Sequence, residues 1–152
     1  MFALPRIYLA SKSPRRRDLL KQIGVDFTVL LLRENQPRGA DVNEDVLIGE
    51  GPAEYVSRVA RLKSEIGWQR VLQRQLPKRP VLSADTTVAL GARIFGKPVS
   101  HNDARDMLRD LSGSEHRVLT CVSIRLDARE ASALSETLVR FREISDDEID
   151  AY

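Results

Sequence analysis

The chain has 152 residues, in which 24 Lys and Arg face 22 Asp and Glu, for a formal net charge of +2. This charge creates no general attraction to nucleic acid or to anionic membranes, so any anion site must be local. No apolar run approaches the roughly 20 residues that span a bilayer, and no signal-peptide core begins the chain. The single cysteine, Cys121, lies in an apolar strand pattern, and we expect a cytoplasmic protein without disulfides.

The first predicted elements are a strand and a helix joined by a short polar turn. Apolar and aromatic residues dominate Arg6 to Ala10, which predicts a buried strand. Ser13 is a good N-cap and Pro14 suits the first helical position, so a helix begins there and is expected to end near Gly24, a left-handed C-cap residue. The apolar face of this helix is predicted to comprise Leu19, Leu20 and Ile23.

A second strand, a long loop and a second helix follow. Phe27 to Leu32 is predicted as a strand, and residues 33–51, which include Pro37 and Gly39 and have no apolar period, predict a loop of a length that is often functional. Apolar residues return at helical spacing from position 52, and Gly67 is expected to kink or end that helix. Lys63 falls on the apolar face of the helix.

The second half of the chain predicts more strands than helices. The apolar run Val81 to Ala84 leads into Asp85, and Gly91 is expected at the tip of a hairpin. The other predicted elements are a helix over 103–111 capped by Asn102, antiparallel strands over 117–126 and 133–141, and a helix beginning at the capping box 145–148. We therefore predict an α/β fold in one domain over residues 1–152.

A basic turn between the first strand and the first helix is the best candidate for an anion site. Ser11, Ser13, Arg15 and Arg16 surround a helix N-terminus, where free N–H groups and the helix dipole favour an anion. Arginine adds planar, forked donors that match phosphate oxygens. A capped and solvated helix start explains the spacing equally well, and both interpretations stay open.

Acidic residues supply a candidate catalytic and metal site. Asp85 ends an apolar strand pattern, where it could hold Mg²⁺ or orient a water, and Glu44 in the long loop is a natural second ligand. A turn formed with Thr86 would account for Asp85 equally well. Lys63 and Lys97 could each reach a phosphate, although a lone lysine is more often solvated.

Several common sites have little support. His101 and His116 lack metal-ligand spacing and are predicted to lie on the surface, which disfavours zinc. The sequence contains neither a P-loop nor a Rossmann glycine pattern. The basic turn has no interleaved aromatic residues, so single-stranded nucleic-acid binding is not favoured either.

These segments resemble the Maf family of nucleotide pyrophosphatases over essentially the whole chain. Leu9 to Arg16 is similar to the family signature L-A-S-x-S-P-R-R. Tyr55 to Lys63 is similar to the family's second helix, and Ala84 to Val88 to its central acid motif. Gly96 to Pro98 resembles the next loop, and Ala104 to Gly113 the helix that follows. The resemblance implies an α/β, Maf/ITPase-like fold in which helices flank an elongated mixed β-sheet with a central nucleotide-binding cleft.

The resemblance also implies an activity, hydrolysis of a nucleoside triphosphate to the monophosphate and pyrophosphate with Mg²⁺ or Mn²⁺. Asp85 would be the catalytic acid or base, and Glu44 and Asp85 would bind the metal. The residues that would bind substrate are Ser11, Ser13, Arg15, Arg16, Lys63, Thr86 and Lys97. The Asp85-Thr86 pair resembles the branch that prefers dTTP and UTP, whereas the 7-methyl-GTP branch shows Ser-Asp-Gln there.

The resemblance leaves alternatives open. Family members continue to a K-A-G-x-Y-x-I-Q-G motif, so we expect the chain to lack the family's C-terminal quarter. A 7-methyl-GTP pyrophosphatase, a non-catalytic nucleotide-binding regulator of septum formation and an RNA-binding domain are the other functions, and the low net charge disfavours the last. We expect no nucleic-acid or membrane partner, and a homodimer stays open.

Overall fold

The computed structural model describes residues 5–33 and 40–152, so 34–39 of the predicted loop lie outside the described residues. The elements in chain order are β1 (Ile7–Leu9), α1 (Pro14–Gln22), β2 (Phe27–Val29), α2 (Pro52–Gln73), β3 (Val81–Leu90), β4 (Arg93–Phe95), α3 (His101–Leu111), β5 (Glu115–Leu126), β6 (Arg129–Arg140) and α4 (Asp146–Ala151). The predicted α/β class is confirmed, and residues 40–51 contain no helix or strand, as expected for a loop.

The described residues form a six-stranded mixed sheet in the order β2-β1-β3-β5-β6, with β4 paired to β3. β1 is parallel to β2 and β3, and the remaining pairs are antiparallel. The register of β1 with β3 ends at Leu9 opposite Leu82, whereas β4 joins that edge of β3 only from Val88. Among the described residues, no strand therefore lies beside residues 83–87 of β3 on this edge, and a gap opens in the sheet.

Helix α2 packs along one face of the sheet and supplies much of the core. Its first half is buried against β3 and β5, where Cys121 lies as a free and buried thiol, as the sequence predicted. Its second half is buried against β1 and the start of β3 through Trp68 and Val71. On the opposite face of the sheet, Leu20 of α1 packs against Ile7 and Leu9.

Gly67 was predicted to kink or end its helix, and an end there is wrong, because α2 continues to Gln73. A Cβ atom at Gly67 would lie 2.7 Å from Val81 Cγ1, which is closer than two non-bonded carbon atoms approach. The glycine therefore lets the helix backbone approach the sheet, and its cost in helix propensity is offset by this packing.

Other local predictions need correction. Leu19 and Ile23 are 58% and 69% exposed, so only Leu20 of the predicted face of α1 is buried. Helix α3 begins at His101 rather than 103, because Ser100 is its N-cap and accepts a hydrogen bond from the Asp103 N–H at 3.1 Å.

His116 is buried rather than on the surface as predicted, and its ring packs edge-on against Phe141 at 4.7 Å between centroids. The antiparallel pair β5 and β6 is confirmed and runs a few residues longer at its turn than predicted. Among the described helices, none is long and apolar enough to cross a membrane.

Candidate active site

A cleft of about 1220 Å³ lies at the gap in the sheet, between the end of β1 and the loop that follows β4. The loop before α2 and residues 85–88 of β3 complete its walls. The cleft is lined by every predicted site residue except Arg15, namely Ser11, Ser13, Arg16, Glu44, Lys63, Asp85, Thr86 and Lys97. The tertiary structure thus collects residues that are as much as 86 positions apart, from Ser11 to Lys97.

The alternation of β3 divides the cleft into two sides. Successive strand residues point to opposite faces, so Asp85 points toward α2 and Thr86 toward α1. We call Glu44, Lys63 and Asp85 the acidic side. We call the opposite group, Ser11, Ser13, Arg16 and Thr86, the basic side.

On the acidic side one ammonium group joins two carboxylates. Lys63 Nζ lies 2.9 Å from Asp85 Oδ1 and 3.0 Å from Glu44 Oε1. The side chains of Asp85 and Lys63 are 11% and 17% exposed, so each charge is largely removed from water and needs the other to offset its desolvation. Lys63 lies on the apolar face of α2, and its pairing with these two carboxylates explains why a lysine occupies that face.

A tyrosine holds the backbone of residues 40–51, the loop that carries Glu44, which we call the acidic loop. The hydroxyl of Tyr55 in α2 donates to the carbonyl oxygen of Glu44 at 2.9 Å. Burial raises the pKa of Tyr55, and the negative charges of Asp85 and Glu44 raise it further. The hydroxyl therefore stays protonated near neutral pH and remains a donor.

On the basic side the turn before α1 has the predicted capped structure. Ser13 is the N-cap and accepts from the Arg16 N–H at 3.4 Å, while Ser11 Oγ accepts from the Ser13 N–H at 3.2 Å. Because Pro14 has no N–H and the N–H groups of Ser13 and Arg16 are already paired, the Arg15 N–H is the donor left free in the first turn among the described residues. This helix end faces the cleft through Ser11 and Ser13.

Arg16 connects α1 to the open edge of β3. Its guanidinium donates to the Ala84 carbonyl at 2.8 Å, to Ser11 Oγ at 3.3 Å and to Thr86 Oγ1 at 3.4 Å. Burial lowers the pKa of Arg16, and the charges of Asp85 and Glu44 oppose that shift. Arg16 thus satisfies a carbonyl at the open edge of β3 and places its positive charge at the cleft floor.

The two remaining cations that were predicted to bind substrate differ in their position relative to the cleft. Lys97 is exposed in the loop after β4 and lines the cleft, whereas Arg15 is exposed and does not line it. Within residues 5–33 and 40–152, neither side chain makes a hydrogen bond or an ion pair.

The acidic side supplies carboxylate oxygens, the ligand atoms that a hard divalent cation prefers. In the part of the chain that the structure describes, no three His, Cys, Asp or Glu side chains cluster as a complete metal cage. Glu44 and Asp85 nevertheless converge through Lys63, and Mg²⁺ is typically held by one or two carboxylates together with substrate phosphates and waters. The carboxylates of Glu44 and Asp85 therefore fit such a cation.

Sequence reasoning missed residues that support the cleft. Tyr55 was predicted only as a residue of the second helix, yet its hydroxyl donates to the Glu44 carbonyl. Thr120 of β5 lies 3.0 Å from Thr86 between their hydroxyl oxygens, a pairing set by the antiparallel register. An aromatic hydroxyl near the start of a helix that follows an acidic loop was the available signal for Tyr55.

Comparison with known proteins finds a matching family model and similar sequences. The family model described as Maf-like protein matches residues 6–152. The chain is 55% identical over 146 residues to a dTTP/UTP pyrophosphatase of Nitrosomonas europaea, covering 96% of this chain and 70% of the relative. It is 52% identical over 151 residues to a dTTP/UTP pyrophosphatase of Nitrosospira multiformis, covering 99% of this chain and 73% of the relative.

A solved structure, protein VC0702 from Vibrio cholerae, aligns with a TM-score of 0.43 and 9% sequence identity. The alignment covers 90% of this chain and 63% of that one. A likeness of this strength carries no information about the site.

Proposed function

The chain belongs to the Maf family, and from that membership we propose that it is a nucleotide pyrophosphatase that hydrolyses dTTP and UTP to the monophosphate and pyrophosphate. Relatives at 55% and 52% identity bear the name dTTP/UTP pyrophosphatase, which favours these substrates over 7-methyl-GTP. The observation that carries the proposal is the convergence of Glu44 and Asp85 on Lys63, opposite the N-terminus of α1 in one cleft.

The basic side is proposed to bind the phosphates. Ser11 and Ser13 at the N-terminus of α1 would donate to phosphate oxygens, and Arg16 would add a charged donor at the cleft floor. Lys97 would approach from the opposite wall. Arg15 lies outside the lining, so we assign it only a long-range attraction for the anionic substrate.

The acidic side is proposed to carry out the hydrolysis. Asp85 would orient a water and accept its proton as the water oxygen attacks the α-phosphorus. The bond from this phosphorus to the α–β bridging oxygen would break, and pyrophosphate would leave. Lys63 holds both carboxylates and keeps a third N–H for a phosphate oxygen. A divalent cation, Mg²⁺ or Mn²⁺, held by Glu44 and Asp85 would polarise the phosphate and neutralise its charge.

Thr86 is proposed to influence the choice of nucleotide, because its hydroxyl lies on the cleft floor and is oriented by Arg16 and Thr120. We also propose that the enzyme works in the cytoplasm. A nucleotide substrate and a free, buried Cys121 suit a reducing compartment.

The test is a product assay with Mg²⁺ and dTTP, UTP or 7-methyl-GTP, with the products separated chromatographically. We expect monophosphate and pyrophosphate in equal amounts from the first two nucleotides and little from the third. Turnover of 7-methyl-GTP alone would contradict the proposed substrates. Nucleotide-dependent thermal stabilisation without product would contradict an enzyme and support the nucleotide-binding regulator instead.

A further inference from the structure

The loop that carries Glu44 is fastened to α2 by an arginine that does not line the cleft, and we propose that this residue, Arg58, is a positioning residue for Glu44. The inference rests on the proposed function, in which Glu44 helps to bind the cation.

The guanidinium of Arg58 binds the loop at several points. It donates to the carbonyl oxygens of Asn43 at 3.4 Å and Asp45 at 2.8 Å, which are the two residues on either side of Glu44. It also donates from Nε and Nη2 to the two carboxylate oxygens of Glu50, at 2.5 and 2.9 Å. One planar group therefore joins both ends of the 43–50 segment.

Tyr55 completes the arrangement one helical turn earlier. Residues three apart on a helix share a face, and the Arg58 guanidinium lies 5.6 Å from the centre of the Tyr55 ring. Tyr55 donates to the carbonyl of Glu44 itself, so three successive carbonyls, those of residues 43, 44 and 45, accept from two side chains of α2. Fixing these peptides fixes the direction in which the Glu44 side chain leaves the backbone, toward Lys63.

The contact with Glu50 gives the loop its shape. The Glu50 carboxylate also accepts from the Leu47 N–H at 3.0 Å, and the Glu50 N–H donates to the Leu47 carbonyl at 3.0 Å. The side chain of Glu50 is only 7% exposed, so removal of Arg58 would leave a mostly buried carboxylate without its cation. The loop would then relax toward water and release Glu44 from its orientation.

The test compares Arg58→Ala and Arg58→Lys with Arg61→Ala. Arg61 is a matched control because it lies on the same helix and pairs with Glu130 at 2.5 Å, but its side chain is 59% exposed and does not line the cleft. Lysine keeps the charge but lacks the planar fork, so Arg58→Lys is expected to give an intermediate result. The readouts are amide hydrogen exchange, Mn²⁺ binding to the nucleotide-free chain, and steady-state kinetics.

Arg58→Ala is expected to speed exchange of the 43–50 amides while the amides of β3 and β5 keep their protection. Mn²⁺ affinity and kcat are expected to fall by roughly 10 to 100-fold, as for other residues that orient metal ligands, with a smaller change in KM. In a Glu44→Gln background, Arg58→Ala should lower kcat little further, because both changes act through the same carboxylate. Arg61→Ala should match the unaltered chain in every readout.

Equal exchange and equal Mn²⁺ affinity in Arg58→Ala and Arg61→Ala would overturn the inference. The inference would also be overturned if Arg58→Ala lowered kcat in the Glu44→Gln background by as large a factor as it does alone, because Arg58 would then act through another group. If the unaltered chain makes no monophosphate, the proposed function fails, and exchange and Mn²⁺ binding still decide the role of Arg58. If Arg58→Ala does not fold, the same measurements on Arg58→Lys decide it.

Discussion

The two sides of the cleft differ in how their charges are satisfied. On the acidic side the Lys63 ammonium pairs with the carboxylates of both Asp85 and Glu44, which leaves one net negative charge, and α2 fixes the loop that carries Glu44. On the basic side Arg16 donates only to uncharged oxygens, and Lys97, on the wall beyond, has no partner among the described residues. A mostly buried charge must be paired within the fold, whereas an exposed cation such as Lys97 is solvated by water and needs no partner in the protein. The acidic side is thus preorganised, whereas the basic side has donors that the phosphates of the proposed substrate would pair with.

Asp85→Asn is expected to have the largest effect and to separate the two sides. Loss of the proton-accepting carboxylate should lower kcat by about 10² to 10⁴-fold, while nucleotide affinity measured without a divalent cation changes little because the basic side is untouched. Kinetics and calorimetric binding measure the two quantities. Asp110→Asn is the control, since Asp110 forms a surface ion pair with Arg93. Unchanged turnover in Asp85→Asn would remove Asp85 from the mechanism.

Arg16→Ala compared with Arg15→Ala tests which arginine completes the basic side. Hydrogen bonds from a charged group contribute about 1.5 to 3 kcal/mol, so Arg16→Ala should weaken nucleotide binding by roughly 10 to 150-fold. Arg15 is exposed and outside the cleft, and its loss should cost less than about 1 kcal/mol. Equal losses in the two variants would show that Arg15 reaches the substrate after all.

Asp41→Asn tests the second attachment of the acidic loop to α2. The Asp41 carboxylate accepts from Arg70 of α2 and from the Arg33 N–H, the latter at 2.8 Å. Burial alone would raise the pKa of Asp41, but the hydrogen bonds from Arg70 and Arg33 outweigh it and lower the pKa to about 2 from an ordinary value of 3.8. Because the folded state holds the lower pKa, this stabilisation is present above pH 3.8 and is lost as the pH falls toward 2.

Asp41→Asn should therefore reduce the free energy of unfolding by about 1 to 3 kcal/mol at neutral pH and flatten its decline between pH 4 and 2. Urea unfolding at several pH values measures both effects. Asp26→Asn, which removes an exposed ion pair with Arg6, should leave the pH profile nearly unchanged. A profile that keeps its full acid decline in Asp41→Asn would assign that decline to other carboxylates.

Ser13→Ala has the smallest expected effect and compares two helix caps. Loss of an N-cap typically costs about 0.5 to 2 kcal/mol, and here it should also weaken nucleotide binding because Ser13 lines the cleft. Ser145→Ala removes the cap of α4, outside the cleft, and should reduce thermal stability without changing affinity. Equal affinities in the two variants would mean that the α1 N-terminus does not contact the substrate.

Features encoded within a few residues could be predicted from the sequence. Ser13 caps α1, Ser145 and Glu148 form the capping box of α4, and Gly24 and Gly91 adopt positive φ where a C-cap and a hairpin tip were expected. Each depends on backbone donors or φ angles of neighbouring residues, so local chemistry is sufficient. The motifs around Ser11 and Asp85 likewise indicated the chemistry of the cleft before its geometry was known.

Features that depend on distant packing could not be predicted in this way. Gly67 has the pattern of a helix end, and only the 2.7 Å approach of Val81 explains a glycine inside α2. His116 has a polar sequence context, yet the return of β6 brings Phe141 over its ring. No periodic rule pairs Glu50 with Arg58 across the start of a helix, so their ion pair emerges only once the loop folds back on α2.

The sequence by itself determined the α/β class, the capped basic turn, and the acids and cations from which the cleft is built. The tertiary structure alone decided which of them meet. The early end of β1 opens the sheet beside β3, and the alternation of β3 sends Asp85 and Thr86 to opposite faces. Lys63 can then join Asp85 to Glu44, because burial of unpaired charges is costly and the fold must pair them where they meet.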